Sequence, residues 1–334
     1  MKQISFVVPC YNSESYMEHC IDSLLPGGND VEIIIIDDGS KDNTGKIADE
    51  YAKKYPDIVK VHHQENGGHG EGINQGLKIA TGKYFKVIDS DDWVDSKAYK
   101  KLLKKIKKID ADLIVMNYVY VHNDGRENQV INFSNVFPEN REITWDDIHR
   151  FKRTQYLSLH SLMYKKSVLD KAHIKLPKHT FYEDNLFIYL PLKYTKTIYY
   201  MNLNFYQYFI GRADQSVQVS QLVKRSDDQR RVTVLACNAY DLDEIENKKL
   251  RNLMLRELSF LVCIGCVFTR LAYTDEAEKQ AQDMMDEIKK GNPKLYKELT
   301  TKPSLAYFSS RKGKVMRGAI NKGFKVANKL VGFD

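Results

Sequence analysis

Three acidic residues follow an apolar run in the first third of the chain. Residues 84–88 are rich in β-branched and aromatic side chains, as a buried strand should be, and Asp89, Asp91 and Asp92 come after them. Because carboxylates are costly inside a core, these acids should lie where the strand ends. Closely spaced carboxylates repel one another unless a cation lies between them. The stretch therefore predicts a divalent-metal site that serves a phosphorylated ligand.

The alternative for these acids is a helix N-terminus, where the helix dipole also favours negative charge. The strand-end position of Asp89 and Asp91 favours the metal site, because ligands bind at the carboxyl edge of an open α/β sheet. Asp92 is interpreted as an acid at the start of the next helix.

A second acidic pair, Glu183-Asp184, lies far along the chain among aromatic residues. Its neighbours Phe181, Tyr182 and Phe187 indicate partial burial, which would raise a carboxyl pKa and suit it to general-base catalysis. Two acids on a helix are commonly a solvated pair, so the residues alone leave both interpretations open.

The hydrophobic pattern predicts the elements that position these acids. Apolar runs predict strands at residues 4–8, 31–36, 59–62 and 84–88, and amphipathic segments between them predict helices, the first with Ser13 as its N-cap. This alternation predicts a parallel sheet with right-handed crossovers. Three of the four strands end in polar sequences, so these sequences should converge on one edge.

Later segments complete the predicted fold. We expect a helix at residues 96–109, a strand at 113–121, a capping box at Thr144 and a strand pair at 197–201 and 205–210. From about residue 220 the pattern is helical throughout, with a last helix at 312–330. The fold class is therefore α/β and Rossmann-like, a mixed, mainly parallel sheet flanked by helices, with a C-terminal all-helical region. The predicted domains are residues 1–219 and 220–334.

Two turns carry groups that suit a nucleoside phosphate. After the second strand, Asp37 and Asp38 can accept hydrogen bonds from a base or a ribose, although the same sequence suits a capped strand-to-helix turn. The stretch Gly68-His69-Gly70-Glu71-Gly72 departs from the dinucleotide fingerprint, because Gln75 stands where the third glycine belongs. A nicotinamide or flavin site is therefore not expected. Binding of a phosphate at this helix N-terminus is left as an alternative.

Composition narrows the class of protein. Hydrophobic and charged fractions of 43% and 28% are those of a soluble globular protein, and no apolar run approaches the roughly 20 residues of a membrane span. Seven basic residues and one acid lie in residues 311–334 and supply +6 of the net +7, so the rest shows no nucleic-acid footprint. The five cysteines, an odd number, predict free thiols in a reducing compartment.

Taken together, the motifs resemble glycosyltransferase family 2, which has the GT-A fold. The resemblance covers residues 1–215 and rests on five segments in this order: Val8-Pro9-Cys10-Tyr11-Asn12, Ile36-Asp37-Asp38-Gly39-Ser40-Lys41-Asp42, Asn66-Gly67-Gly68, Asp89-Ser90-Asp91-Asp92 and Glu183-Asp184. It implies that a sugar is transferred from a nucleotide-diphosphate donor to an acceptor hydroxyl with inversion.

The resemblance also implies roles for individual residues. Asp184 would be the general base, and Asp89 and Asp91 would hold Mn²⁺ or Mg²⁺ on the diphosphate, with Asp91 nearest to the metal ion. Arg212, in a segment with Tyr208 and Ser216, would meet phosphate oxygens. The remaining donor-binding residues would be Pro9, Tyr11, Asp37, Asp38, Asn66 and Gly67.

The sequence departs from the family at one position. Ile73 precedes Asn74 where many relatives place an arginine. If that arginine helps to hold the donor, another group must do so here, and Lys86, Arg212 and His69 are the candidates. His160 is interpreted as a structural histidine, with a contact to the acceptor as the alternative. Trp93 is a candidate wall for a sugar or an acceptor.

The C-terminal tail predicts a contact with membranes. Apolar residues fall on one stripe of a helical wheel over residues 316–331, with basic residues away from it, which is typical of a membrane-surface helix. The alternative is a helix that packs on its own domain.

The sequence thus predicts a metal-dependent inverting glycosyltransferase, cytoplasmic and peripheral on the inner face of the cell membrane. Its donor would be a nucleotide sugar, best a UDP-sugar, and its acceptor a glycan or a lipid-linked glycan of a cell-surface polysaccharide. A homo-oligomer is compatible with the sequence. The alternatives are a nucleotidyltransferase acting on a sugar phosphate and a non-catalytic sugar-nucleotide-binding subunit.

Overall fold

A computed structural model describes residues 2–153, 155–211 and 219–311 of the chain. The chain divides into two compact units, Met1–Gly211 and Arg212–Asp334. The predicted last helix at residues 312–330 lies outside the described residues, as do Arg212 and Ser216.

A ten-stranded sheet organises the first unit, with the order β3-β2-β1-β4-β9-β6-β10-β5, β7 on β6 and β8 on β10. Every residue of β2 is buried, as expected for a parallel strand covered on both faces. The strands are β1 (Ile4–Cys10), β2 (Val31–Asp37), β3 (Val59–His63), β4 (Tyr84–Val87), β5 (Trp93–Val94), β6 (Leu113–His122), β7 (Gln129–Ile131), β8 (Glu142–Thr144), β9 (Leu162–Lys165) and β10 (Thr197–Ile210).

Parallel pairing joins the first four strands, since β1 runs parallel to both β2 and β4, and β2 to β3. β10 also runs parallel to β6, whereas β9 inserts antiparallel between β4 and β6. Helices flank this sheet: α1 (Met17–Leu24), α2 (Thr44–Lys54), α3 (His69–Ile79), α4 (Ser96–Ile106), α5 (Lys166–Lys171) and α6 (Asp184–Tyr189). The predicted mixed, mainly parallel sheet with flanking helices is confirmed.

Three local predictions were wrong. α1 begins at Met17 rather than after Ser13, because the Ser13 hydroxyl bonds the Tyr11 amide and the Ser90 hydroxyl instead. The predicted strand pair is the single strand β10, whose register with β6 shifts after Met201. Asp92 does not start a helix: α4 begins at Ser96, and Asp95 caps it by accepting from the Ala98 amide. The capping box at Thr144 is confirmed.

The second unit consists of helices over its described residues. They are α7 (Val219–Lys224), α8 (Ser226–Asn238), α9 (Lys248–Arg270), α10 (Asp275–Gly291), α11 (Pro293–Thr301) and α12 (Leu305–Ser309). Contrary to the expectation from apolar runs, α9 is by length and composition a candidate membrane span, with mean hydropathy 1.5. Because 61% of that apolar window is buried, α9 also fits a core helix, and α8, α10 and α12 pack against it.

Candidate active site

The polar turns after β1, β2 and β4 meet at one edge of the sheet, as predicted. The register sets Cys10 beside Asp37 at the ends of β1 and β2. Side chains then join the turns: the Ser40 hydroxyl accepts from the Asn12 amide at 3.0 Å, and the hydroxyls of Ser13 and Ser90 lie 2.9 Å apart. The edge therefore gathers groups from three separate motifs.

Asp89, directly after β4 and Ile88, lies between two imidazole rings. Its Oδ1 is 3.0 Å from Nε2 of His69, and its Oδ2 is 3.5 Å from Nε2 of His160. Burial disfavours the charged carboxylate, but hydrogen bonds from His160 and His69 prevail and hold the pKa of Asp89 below its usual value. Asp89 is thus a carboxylate that stays ionised.

Asp92 is a buried acid with a different environment. It accepts from the Tyr206 hydroxyl at 2.6 Å and from the Phe209 amide at 2.8 Å, and it is 1% exposed. Burial, with the charges of Asp91 and Asp89, raises the pKa of Asp92 well above its usual value. Through these bonds Asp92 ties the turn after β4 to β10, which explains why it does not act as a helix-start acid.

One group of described residues has the donor set and spacing for a metal ion. Ligand atoms of Asp89, Asp92 and His160 all lie within 4.8 Å of one another. Carboxylate oxygens with an imidazole nitrogen suit Mn²⁺ and tolerate Mg²⁺, so these residues fit the predicted ion. Asp91, predicted to lie nearest to the metal, is half-buried beside this group but is not part of it. Its role as a ligand stays a prediction.

Asp184 is the first residue of α6 and is half-buried. Burial, with the charge of Glu183, raises the pKa of Asp184 to about 7, against the opposing charge of His69. A carboxyl group with this pKa is matched to proton transfer near neutral pH. The aromatic neighbourhood that predicted partial burial of this pair is consistent with that position.

His69 links the two acidic segments. Its Nδ1 is 2.7 Å from Oε1 of Glu183, while its Nε2 faces Asp89. Burial would lower its pKa, but the bonds to Asp89 and Glu183 prevail and raise the pKa of His69 well above its usual value. The sequence marked His69 only as a candidate for the missing arginine; its place between two carboxylates depends on residues far away in the chain.

His160 lies in a cluster of tyrosines. Its ring stacks on Tyr208 with centroids 4.4 Å apart and lies 4.6 Å from Tyr206, and Nδ1 is 2.9 Å from the Ser158 hydroxyl. The structural role expected for His160 is therefore present, and its Nε2 remains directed at Asp89. Tyr208, predicted to follow the base in a donor-binding segment, packs on this ring.

Lys86, a candidate to replace the arginine, is held inside the sheet. It is fully buried in β4, and its Nζ donates to the carbonyls of Leu159 and His160 at 2.7 and 2.8 Å. Burial lowers the pKa of Lys86 to about 7 even though Asp89 and Asp92 oppose the shift. Held in this way, Lys86 secures the backbone at His160 and is not exposed to a phosphate. Arg212, the other cation proposed, lies outside the described residues.

An open cleft of about 530 Å³ contains part of the predicted donor site. Tyr11 and Asn66, both predicted from the sequence, line it, and Tyr11 is 50% exposed. Gly39 and Lys41, which belong to the predicted motif after β2, also line the cleft. So do His63, Gln64 and Glu65, which the sequence did not single out. Their position at the end of β3 was the available signal, because that strand also ends at this edge.

The predicted acids Asp37 and Asp38 are buried and already bonded. Asp37 accepts from the Ser40 amide at 3.1 Å and faces Nδ1 of His63 at 2.8 Å. Asp38 accepts from Gln64 Nε2 at 2.6 Å and from two amides of the glycine-rich loop, at Gly67 and Gly68, both at 2.8 Å. These bonds support the turns, and donor binding by Asp37, Asp38 and Gly67 stays a prediction. Pro9 is likewise buried, at the end of β1.

The fold and the comparisons define the class of protein: the chain has the GT-A fold. A model of Glycosyl transferase family 2 matches residues 5–172, about half of the chain, and the chain belongs to that family.

Three known proteins illustrate the similarity. "Uncharacterized glycosyltransferase EpsJ" of Bacillus subtilis is 39% identical over 124 residues, 37% of this chain and 36% of that protein. A poly(ribitol-phosphate) beta-glucosyltransferase of Bacillus spizizenii is 38% identical over 115 residues, 33% of this chain and 18% of that enzyme. The third is the crystal structure of S. aureus TarS 1-349 in complex with UDP-GlcNAc. The match covers 97% of this chain and 92% of the TarS chain, with a TM-score of 0.69 and 19% identity.

The match to curated relatives is partial. The chain spans about two fifths or less of the length of the first three. Because TarS is only 19% identical in sequence, its structure supports the fold of this chain and nothing further. The relatives also include the minor teichoic acid biosynthesis protein GgaB of Bacillus subtilis.

Proposed function

We propose that this glycosyltransferase moves a sugar, with inversion, from a nucleoside-diphosphate donor to a hydroxyl of a glycan or lipid-linked acceptor in cell-surface polysaccharide synthesis. The observation that carries the proposal is Asp184, a half-buried carboxyl whose pKa of about 7 matches a general base. It is joined through Glu183 and His69 to Asp89 at the strand edge.

The proposed step is a single displacement. The Asp184 carboxylate takes the proton from the acceptor hydroxyl while the oxygen of that hydroxyl attacks the anomeric carbon. The bond from that carbon to the diphosphate oxygen breaks, and the diphosphate leaves with the electron pair. One carbon–oxygen bond forms as another breaks, and the configuration inverts because attack and departure are on opposite faces.

Asp89, Asp92 and His160 are the residues that would hold Mn²⁺ or Mg²⁺. Asp91 would join them, as the sequence predicts. When bound, the ion would offset negative charge on the leaving diphosphate. Tyr206 keeps the arrangement in place, since its hydroxyl donates to Asp92 at 2.6 Å and accepts from the backbone amide of Asp89 at 3.1 Å.

The nucleoside end of the donor is proposed to occupy the cleft that Tyr11 and Asn66 line. A UDP-sugar is the best candidate, supported by the structural similarity to TarS, which was crystallised with UDP-GlcNAc. Lys41, also in the lining, supplies a cation at the mouth of this cleft.

The test compares Asp184→Asn with the unchanged protein, using UDP-GlcNAc, then other nucleotide sugars, each with Mn²⁺. We expect the variant to lose release of the nucleoside diphosphate and to keep Mn²⁺-dependent donor binding in a thermal-shift assay. Asp170→Asn, which changes an exposed acid on α5, is the matched control. Wild-type turnover in Asp184→Asn would refute the assignment of Asp184 as the base. Release of pyrophosphate from UTP and a sugar phosphate, with no nucleoside diphosphate released from any nucleotide sugar, would favour a nucleotidyltransferase.

Attachment to the membrane surface through residues 311–334 is a separate proposal, supported by the basic and apolar composition of that segment. The chain should co-sediment with anionic vesicles, and deletion of these residues should abolish this. Unchanged co-sedimentation of the truncated chain would contradict the proposal.

A further inference from the structure

The N-terminal half of α3 and the glycine-rich loop before it contact the segment that leads to Asp184. Residues 67–74 supply the contacts on one side, and residues 176–183 supply those on the other. The two stretches lie about a hundred residues apart in the chain, as the separations of 102 and 114 residues within contacting pairs show.

Asn74 makes the most specific of these contacts. Its Nδ2 donates to the Leu176 carbonyl at 2.9 Å, and its Oδ1 accepts from the Leu176 amide at 2.9 Å. The Asn74 side chain is largely buried, at 8% exposure, so water does not substitute easily for these bonds. Both ends of one amide group thus hold the backbone of one residue.

Two further contacts extend the same surface. The Gly67 carbonyl accepts from the His179 amide at 2.8 Å, and His69 holds Glu183 at 2.7 Å. Gly70 is required for this approach, since a Cβ there would lie 2.7 Å from Cγ of Glu183. The contacts of His69 and Gly70 are with Glu183, the residue directly before Asp184.

The backbone of the leading segment needs such support. Within residues 176–183, His179 and Tyr182 have φ of 47° and 65°, in the left-handed region that residues other than glycine seldom adopt. Conformations of this kind persist where surrounding structure holds them, and they cluster near active sites.

We propose that residues 67–74 are a dock for the base-bearing segment, and that Asn74 and His69 are positioning residues that set where Asp184 lies relative to Asp89. The catalytic consequence rests on the proposed function, whereas the docking itself does not. The glycine-rich sequence, which could have approached a phosphate, is used here for close packing of two protein segments. The amides of Gly67 and Gly68 are already bonded to Asp38, which agrees with that use.

Hydrogen–deuterium exchange on the full chain without ligand tests the docking. In Asn74→Ala and His69→Ala we expect amides of residues 176–187 to exchange about tenfold faster or more, with β1 and β2 unchanged. Gln75→Ala is the matched control, because Gln75 is the next residue of α3 and its side chain bonds Glu71 and Lys78 instead. Unchanged exchange at 176–187 would overturn the proposal, as would equal acceleration in β1 and β2.

The conservative variant His69→Gln guards against loss of folding, since its amide group keeps one of the two bonds. It should give a smaller acceleration at 176–187 than His69→Ala. Acceleration as large as that of His69→Ala would contradict the assigned bonds.

Turnover tests the positioning role. With UDP-GlcNAc and Mn²⁺, Asn74→Ala should lower kcat by about tenfold and change the donor KM by less than about twofold, because it displaces the base and leaves the donor cleft intact. Equal changes in both constants, or none, would contradict positioning. If the unchanged protein releases no nucleoside diphosphate from any nucleotide sugar, the proposed function fails, while the exchange experiment still decides the docking.

Discussion

Nδ1 of His69 lies 2.7 Å from Oε1 of Glu183, although 114 residues separate them in the chain. The other nitrogen of the same ring lies 3.0 Å from Oδ1 of Asp89. A single side chain therefore connects the acid at the end of β4 with the segment that carries Asp184. Any change at His69 should alter both the proposed metal end and the proposed base end of the site.

The pH dependence of turnover should report Asp184. Its pKa is raised to about 7 by burial and by the charge of Glu183, and a general base acts in its deprotonated form. The rate should therefore rise as pH increases through about 7 and level off above it, whereas an ordinary carboxyl would be fully ionised above about pH 5. Initial rates between about pH 5.5 and 8.5 measure this. A flat profile would contradict the assignment.

Removal of the His69 charge should move that profile. The positive charge of His69 lowers the pKa of Asp184, so in His69→Gln the pKa of Asp184 rises and the acidic limb shifts to higher pH. The same rate measurements on the variant check the direction. A shift to lower pH would show that another group controls the limb.

Substitution of His160 should weaken metal binding. In His160→Gln the imidazole nitrogen 3.5 Å from Asp89 is lost, and we expect the affinity for Mn²⁺ in the presence of UDP to fall by about tenfold or more. Titration of free Mn²⁺ by electron paramagnetic resonance measures it. His149→Gln, at an exposed histidine of the same unit, should bind as the unchanged protein does. Equal affinities in both variants would exclude His160 from the site.

Gly70→Ala should separate helix stability from activity. Alanine favours a helix over glycine by about 1 kcal/mol, so α3 itself should not weaken. The added Cβ, however, would lie 2.7 Å from Cγ of Glu183 and 3.1 Å from Cβ of Leu176. We expect turnover with UDP-GlcNAc to fall by about tenfold while circular dichroism shows the helices intact. Turnover equal to that of the unchanged protein would mean that Glu183 moves aside at no cost.

The stability of the second unit should depend on Arg270. This residue lies at 4% side-chain exposure, bonds both carboxylate oxygens of Glu278 at 2.9 Å and donates to the Ser309 carbonyl. Arg270→Met leaves Glu278 without this partner and should lower the free energy of unfolding by about 3 kcal/mol. Urea unfolding followed by circular dichroism measures it. Lys302→Met, which removes the exposed pair with Glu298, should cost less than about 1 kcal/mol. Similar losses in both variants would contradict the argument.

Local pattern was sufficient for much of the fold. The apolar runs at β1, β2 and β4 are buried strands, and the polar turns after them meet at one edge, because parallel strands joined by helices place like ends together. Predictions from the local pattern were wrong where a side chain bonds a residue far away in the chain. Ser13 has the side chain of an N-cap, yet its hydroxyl is taken by Ser90, 77 residues away.

The sequence by itself determined the family, the strand ends and the two acidic segments, since these depend on residue type and near spacing. Only the tertiary structure decided the burial and the hydrogen-bond partners of each acid. Asp92, next to Asp91 in the chain, is buried because Tyr206 and Phe209 bond it from β10. His69 and Asn74 acquire their partners because β9 inserts into the sheet and the chain after it returns to α3. Hydrogen bonds need distances near 3 Å, and between residues a hundred positions apart those distances exist only once the sheet has formed.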